Sequence, residues 1–190
     1  VLLIKNPALL FGLNTLNITN FPSSILICSS IIFFYLIPFI FQYFYNNPTT
    51  YRALFLKVLK KKNTILIITL IFFISNNYFY YEGNIGGGVI YKISNIILKN
   101  HYIFLMSAYL GMYSIFYYSK NNIDNYFLSL LLLITFSTGF FIFQKYFEPM
   151  FFILLLAFYD KKRIEKSINS GINWIIFYFT AYYLTLNIIY

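Results

Sequence analysis

The stretch from Ser23 to Tyr45 reads SSILICSSIIFFYLIPFIFQYFY and decides the fold class. It contains no charged residue, and its apolar residues form long blocks instead of alternating with polar ones. A helix needs about 20 mostly apolar residues to cross the hydrocarbon core of a bilayer. The stretch therefore predicts a membrane-spanning helix.

The composition of the whole chain extends this prediction. Its 190 residues are 60% hydrophobic, 24% aromatic and 10% charged, and the mean hydropathy is +0.70. Soluble domains carry about 25% charged residues, so this chain has too few to cover a surface in water. We interpret residues 1–190 as a single transmembrane domain. We also expect it to be the C-terminal part of a longer membrane protein, because it opens with Val1 inside an apolar stretch.

Further apolar blocks predict the other helices of a polytopic, all-α membrane protein with about six transmembrane helices. These blocks are Thr64–Tyr81, Tyr102–Tyr118, Tyr126–Phe143, Tyr146–Tyr159 and Ile172–Tyr190. Tyr146–Tyr159 is short for a span, and we expect its helix to begin at Glu148–Pro149, since proline fits the first turn. Val1–Leu13 is either the end of another span or a helix lying in the interface.

The basic residues predict how these helices are oriented. Lys and Arg number 14 against 5 Asp and Glu, a net charge of +9. Most of them lie in three connections, 46–63, 119–125 and 160–171, which share one face if six helices cross the membrane. Basic connections stay on the cytoplasmic side, so we assign these three to it. The charge then reflects topology and contact with anionic membrane lipid, and nucleic acid is excluded as a partner.

A polar tract on the opposite face, from Ser75 to Lys99, is the first candidate site. Its candidate substrate-binding residues are Glu82, Asn84, Gly86, Gly87, Gly88 and Lys92. Isoleucines with helical spacing follow the glycines and predict a short amphipathic helix along the interface. A glycine turn that leads into a helix can bind phosphate through backbone N–H groups, although three glycines are also typical of a re-entry loop. Glu82 is either a general base, a ligand for sugar hydroxyls or a solvated acid.

His101 and the segment Gln144–Pro149 complete the candidate residues. His101 begins a span, where it is either a proton shuttle, a donor to phosphate or a structural residue. Lys145 and Glu148 lie three residues apart at membrane depth, which is costly unless they pair or face a wet cavity. The single cysteine, Cys28, excludes a cysteine metal site or a disulfide framework. The sequence has no metal or nucleotide motif, so no cofactor is expected.

Four short matches, in order along the chain, carry a family resemblance. They are Phe21-Pro22, the basic connection Arg52–Lys62, the segment Tyr80-Tyr81-Glu82-Gly83-Asn84 followed by Lys92, and Tyr146-Phe147-Glu148-Pro149 with the aromatic residues after it. In these matches the chain resembles the C-terminal half of the dolichyl-phosphate-glucose α-1,2-glucosyltransferases, polytopic enzymes of the GT-C class. Met150 stands where that family has arginine, so the donor sugar stays open.

The resemblance implies an inverting membrane glycosyltransferase. Such an enzyme passes a sugar from a polyprenyl-phosphate donor to a glycan acceptor on the non-cytoplasmic face of the bacterial inner membrane or the endoplasmic reticulum. It implies that Glu82 and Glu148 orient sugar hydroxyls and that Lys92, Lys145 and the glycine backbone hold the donor phosphate. The catalytic acid is then expected upstream of Val1. The alternative is a non-catalytic hydrophobic subunit of a respiratory complex in the mitochondrial inner membrane, and a transporter fragment comes third.

Overall fold

The computed structural model describes residues 21–45, 62–81, 86–96, 98–119, 122–136, 142 and 144–189. Within these ranges all regular secondary structure is helical, which confirms the predicted all-α class. The helices are α1 (Phe21–Tyr45), α2 (Lys62–Asn77), α3 (Gly88–Ile96), α4 (Tyr102–Tyr118), α5 (Ile123–Phe136), α6 (Gln144–Ala157) and α7 (Lys161–Ile189).

One described helix, α1, is long and apolar enough by itself to cross a membrane. Its apolar window covers the 22 residues Phe21–Gln42 and has a mean hydropathy of 2.4. At 1.5 Å per residue this window is about 33 Å long, close to the ~30 Å thickness of the hydrocarbon core. Phe147–Ala157 within α6 is a shorter apolar helix.

Helix α1 is also the centre of the bundle, because neighbouring helices cover most of its surface. Leu26, Ile31 and Leu36 are buried in the core. Helix α4 crosses α1 so closely that a Cβ on Gly111 would lie 2.7 Å from the carbonyl carbon of Ser29. Small residues at a crossing let two helix backbones approach, as they do in pairs of membrane helices.

Pro38 lies inside α1 without ending the helix. Proline has no backbone N–H, so the carbonyl of Phe34, four residues earlier, loses its helical hydrogen-bond partner. The hydroxyl of Tyr178 on α7 donates to this carbonyl at 3.0 Å. A neighbouring helix thus replaces the missing bond, which is how spanning helices tolerate proline.

The helix ends sort into two groups. At the end that we name the basic end, the N–H of Asp160, just before α7, donates to the carbonyl of Tyr118, the last residue of α4, at 2.8 Å. At the opposite end, the Ser23 hydroxyl near the start of α1 donates to the Tyr80 carbonyl, just after α2, at 2.7 Å. Lys62, which begins α2, therefore lies at the basic end together with the lysines that begin α7.

Two helix starts differ from the sequence prediction. Helix α6 begins at Gln144 and contains Pro149 in its interior, so the prediction of proline in the first turn is wrong. A tertiary contact favours the earlier start, since Oε1 of Gln144 accepts the N–H of Val89 at 2.8 Å. Helix α7 begins at Lys161 and breaks at Gly171, where φ is −169° and ψ is 44°. Hydropathy located only the apolar part of α7, because the part before Gly171 is charged.

The other predicted elements agree with the structure where it describes them. Helix α4 has the predicted bounds, and α3 takes the place of the predicted amphipathic helix. Helices α2 and α5 occupy most of Thr64–Tyr81 and the first part of Tyr126–Phe143. Val1–Leu13 and most of the basic connection 46–63 lie outside the described residues.

Candidate functional site

The glycine turn Gly86–Gly88 leads directly into α3. Its residues have φ values of +86°, +81° and +80°, a region that glycine adopts without steric cost. The packing around the turn is also too close for a side chain. A Cβ on Gly86 would lie 2.8 Å from the Ile142 carbonyl oxygen, and one on Gly88 would lie 2.7 Å from Cγ1 of Ile31. The turn therefore requires glycine for both its backbone conformation and its close packing.

Two hydrogen bonds join the glycine turn to the start of α6. The N–H of Gly87 donates to the Ile142 carbonyl at 2.8 Å, and the N–H of Val89 donates to Oε1 of Gln144 at 2.8 Å. The side chain of Gln144 thus caps the N-terminus of α3, where backbone N–H groups lack helical partners. Val89 and Gln144 lie 55 residues apart in the sequence, and sequence reasoning missed this cap because no local pattern indicates it.

These bonds leave the glycine turn with fewer backbone donors for a phosphate than the sequence predicts. The N–H groups of Gly87 and Val89 are already used by acceptors of the chain itself. Nε2 of Gln144, in contrast, is buried and has no hydrogen-bond partner within the part of the chain that the structure describes. A buried donor without a partner costs about 1–3 kcal/mol. A ligand oxygen placed beside Gln144 would remove that cost.

Glu148 lies about one turn further along α6, among tyrosine hydroxyls. The Tyr35 hydroxyl donates to Oε1 of Glu148 at 3.1 Å, and the Tyr183 hydroxyl also interacts with this carboxylate. Glu148 is half-buried, whereas Tyr35 is only 2% exposed. An ionised carboxylate accepts several hydrogen bonds, so Glu148 keeps capacity for ligand hydroxyls. No group of three or more His, Cys, Asp or Glu side chains that could hold a metal ion occurs in the described ranges.

The site lies halfway along α1 and not at its end. Gly88 packs against Ile31, which follows Phe21 by about 15 Å of helix. If the window Phe21–Gln42 crosses a bilayer, the glycine turn is near the middle of the membrane, deeper than the interfacial position that the sequence predicts. Helices α3 and α6 both begin at this level, so two helix N-termini meet there.

The remaining predicted site residues are placed only in part. Lys92 is half-buried on α3, and His101 is exposed at the N-cap of α4, with its ring 6.2 Å from that of Tyr91. Lys145 lies in the first turn of α6, but its side chain is not among those described, so the predicted Lys145–Glu148 pair stays a prediction. Glu82 and Asn84 lie outside the described residues.

Two tyrosines beside the turn have raised pKa values because they are at least partly buried. Loss of solvent raises the pKa of Tyr81, and a hydrogen bond with the backbone of Ile142 partly opposes this rise. Burial also raises the pKa of Tyr91, whose hydroxyl donates to the Tyr81 carbonyl at 3.4 Å. Tyrosine is neutral at physiological pH even in water, and these shifts favour the neutral form further, so both hydroxyls are available as hydrogen-bond donors.

Comparison with known proteins identifies no relative of this chain. No protein-family model, curated protein or solved structure matches it. The resemblance to the glucosyltransferases stays a prediction, and the function has to be inferred from the site itself.

Proposed function

We propose that the chain is a multi-pass membrane protein in which α1, α2, α4, α5 and the apolar part of α7 cross the bilayer, whereas α6, which begins halfway along α1, crosses only part of it. The alternating helix directions support this arrangement, as do the large apolar side chains on the outer surface. These include Leu70, Phe73, Phe127, Leu131, Phe152, Leu156, Ile176 and Phe177, which are 47% to 82% exposed. Soluble proteins rarely expose so large an apolar surface, whereas the hydrocarbon core of a bilayer accepts it.

Within this arrangement we propose sugar transfer from a polyprenyl-phosphate donor to a glycan acceptor on the non-cytoplasmic side. The observation that carries the proposal is the junction formed by the Gly87–Ile142 and Val89–Gln144 hydrogen bonds. In this junction the amide of Gln144, whose Nε2 has no hydrogen-bond partner among the described residues, lies at the glycine turn, and Glu148 lies about one helical turn further along α6. A carboxylate that accepts and an amide that donates are the groups that hold sugar hydroxyls.

The donor phosphate would then depend more on lysine charge than on the glycine backbone. Gly87 and Val89 already use their N–H groups, so Lys92 and Lys145 supply the main attraction for a phosphate. The N-termini of α3 and α6 add positive potential at the same level. Glu82 is retained as a second ligand for sugar hydroxyls, as the family resemblance implies.

Binding of the donor tests the role of Glu148. The chain is reconstituted in liposomes and labelled with a photoactivatable polyprenyl-phosphate sugar, and competition by the unmodified donor gives the apparent Kd. Glu148→Gln keeps the shape of the side chain and removes its charge. A hydrogen bond to a charged group contributes about 1.5–3 kcal/mol, so we expect binding to weaken on the order of 10- to 100-fold.

The matched control is Glu165→Gln, because Glu165 is exposed at the start of α7, far from the site. Its Kd should equal that of the wild type. Equal Kd values for the wild type and Glu148→Gln would refute the role of Glu148. Failure of the donor to compete better than polyprenyl phosphate without a sugar would refute sugar recognition altogether.

One observation favours a second candidate, transport of an anionic solute. The N-termini of α3 and α6 meet halfway along α1, beside Ile31. In transporters, interrupted helices direct their positive N-terminal ends at an anionic substrate near the bilayer centre. Anion uptake into proteoliposomes without specific donor labelling would favour this candidate. No observation on the described residues favours the respiratory-subunit alternative.

A further inference from the structure

Helix α7 has two parts with different outward surfaces. Before the break at Gly171, the exposed side chains among those described are Lys161, Lys162, Glu165, Lys166 and Asn169. After the break, the exposed side chains are mostly apolar and include Ile172, Trp174, Ile176 and Phe177. The outward surface therefore changes from charged to apolar within about one turn of Gly171.

A second helix marks the same level. Gly171 packs against the side-chain amide of Gln42, and a Cβ on Gly171 would overlap it. Gln42 is the last residue of the apolar window of α1, and the ring of Phe41 lies 5.4 Å from that of Trp174. Tryptophan prefers the boundary between lipid and water. Helices α1 and α7 thus reach the boundary between lipid and water at the same level. Segment 161–170, which precedes this level on α7, lies on the water side of the boundary.

Segment 161–170 is held on the bundle along one edge. Ile164 and Ser167 are buried, and the N–H of Asp160 donates to the Tyr118 carbonyl at 2.8 Å. Oδ1 of Asp160 accepts the N–H of Lys162 at 3.1 Å and so caps the helix. These contacts fix the outer edge of the segment, which carries the lysines, relative to the membrane boundary.

The outer edge is positively charged. The segment contains Lys161, Lys162, Arg163 and Lys166 against the single acid Glu165. Glu165 lies 3.6 Å from Lys161 on the exposed surface. Lys162 and Lys166, with Glu165 and Asn169, line an open depression of about 530 Å³. The two ammonium groups and the Asn169 amide supply donors, which suit the oxygens of a phosphate diester.

We infer that segment 161–170 lies along the membrane surface and binds the head groups of anionic phospholipids through Lys162 and Lys166. A phospholipid matches both parts of α7 at once, since its phosphate reaches the lysines while its acyl chains lie against the apolar surface that follows Gly171. A soluble phosphorylated partner would match the lysines alone. This interaction is independent of the proposed sugar transfer, because it takes place at the basic end.

Trp174 is the single tryptophan of the chain and reports directly on this contact. The chain is reconstituted in liposomes in which either phosphatidylglycerol or phosphatidylcholine, at equal mole fraction, carries brominated chains, and quenching of Trp174 fluorescence is compared. One basic side chain near an anionic surface gives an enrichment on the order of fivefold. We expect stronger quenching by brominated phosphatidylglycerol, and a smaller difference as salt is raised.

Two double variants separate this segment from the overall charge of the chain. Lys162→Gln with Lys166→Gln should abolish the preference for phosphatidylglycerol. Lys62→Gln with Lys99→Gln removes the same charge from exposed lysines outside the segment and should keep it. Far-UV circular dichroism confirms that each variant is helical.

Three outcomes would overturn the inference. The first is equal quenching by the two brominated lipids in the wild-type chain, which requires no variant to fold. The second is a preference that survives the double substitution at Lys162 and Lys166. The third is loss of the preference in both double variants, because net charge and not segment 161–170 would then attract the lipid.

Discussion

Replacing Tyr178 by phenylalanine tests how α1 tolerates Pro38. Pro38 deprives the Phe34 carbonyl of its helical partner, and the Tyr178 hydroxyl supplies a bond at 3.0 Å. The substitution removes the hydroxyl and keeps the ring, which lies 5.4 Å from the Phe34 ring. Interhelical hydrogen bonds in membrane proteins contribute about 0.6 kcal/mol on average and at most about 1.7 kcal/mol, and a buried carbonyl without a partner costs about 1–3 kcal/mol. We therefore expect Tyr178→Phe to lower the free energy of unfolding by about 1–2 kcal/mol.

A double-mutant cycle with Pro38→Ala isolates the cause. Alanine restores the N–H that bonds to the Phe34 carbonyl, so the Tyr178 hydroxyl becomes redundant. In the Pro38→Ala background, Tyr178→Phe should cost no more than about 0.6 kcal/mol. Titration with dodecyl sulfate in mixed micelles, followed by far-UV circular dichroism, measures the four free energies of unfolding.

The control for this cycle is Tyr45→Phe, because Tyr45 is 74% exposed on the same helix. It should leave the free energy of unfolding unchanged. If Tyr178→Phe costs the same with Pro38 and with Ala at that position, the hydroxyl does not replace the missing N–H, and the explanation for an unbroken α1 is wrong.

Thermal melting tests three further contacts. Gly111→Ala should destabilise the fold by about 1–3 kcal/mol, because the new Cβ would lie 2.7 Å from the Ser29 carbonyl carbon and force α1 and α4 apart. A raised melting temperature would contradict this, since it would show that the higher helix propensity of alanine, about 1 kcal/mol, outweighs the clash. Gly86→Ala, at φ +86°, should cost about 1–2 kcal/mol, while Met106→Ala on the exposed face of α4 should have no effect. Asp160→Ala should cost about 0.5–2 kcal/mol through loss of the α7 cap, and an unchanged midpoint would contradict that role.

The helices could be located from the sequence because hydropathy and charge are local properties. The block that became α1 contains no charged residue, and the apolar block Tyr102–Tyr118 has the same bounds as α4. Helix α3 was predictable because isoleucines recur with helical spacing after the glycines. The start of α6 was not predictable, since Pro149 suggested a first turn, whereas the contact between Gln144 and the distant Val89 favours an earlier one.

The candidate site was predictable only where its residues are unusual in an apolar chain. Three consecutive glycines and an acid at Glu148 attract attention in a sequence with five acidic residues. Tyr35 carries no such signal among 20 tyrosines, although its hydroxyl reaches Glu148 across 113 residues of sequence. Gln144 was part of a predicted polar segment, but its action as a cap for α3 was not foreseen.

The amino-acid sequence by itself determined the helical class and the positions of most helices, and it predicts that the basic connections share one face. Each of these features depends on how a short segment interacts with water or lipid, and the free energy of that interaction is a sum over the residues of the segment. The tertiary structure alone decided that the glycine turn lies halfway along α1, that Gln144 caps α3 and that Glu148 faces tyrosine hydroxyls. Such pairings depend on the separation and rotation of packed helices, which a shift of a few ångströms would change without altering any local pattern.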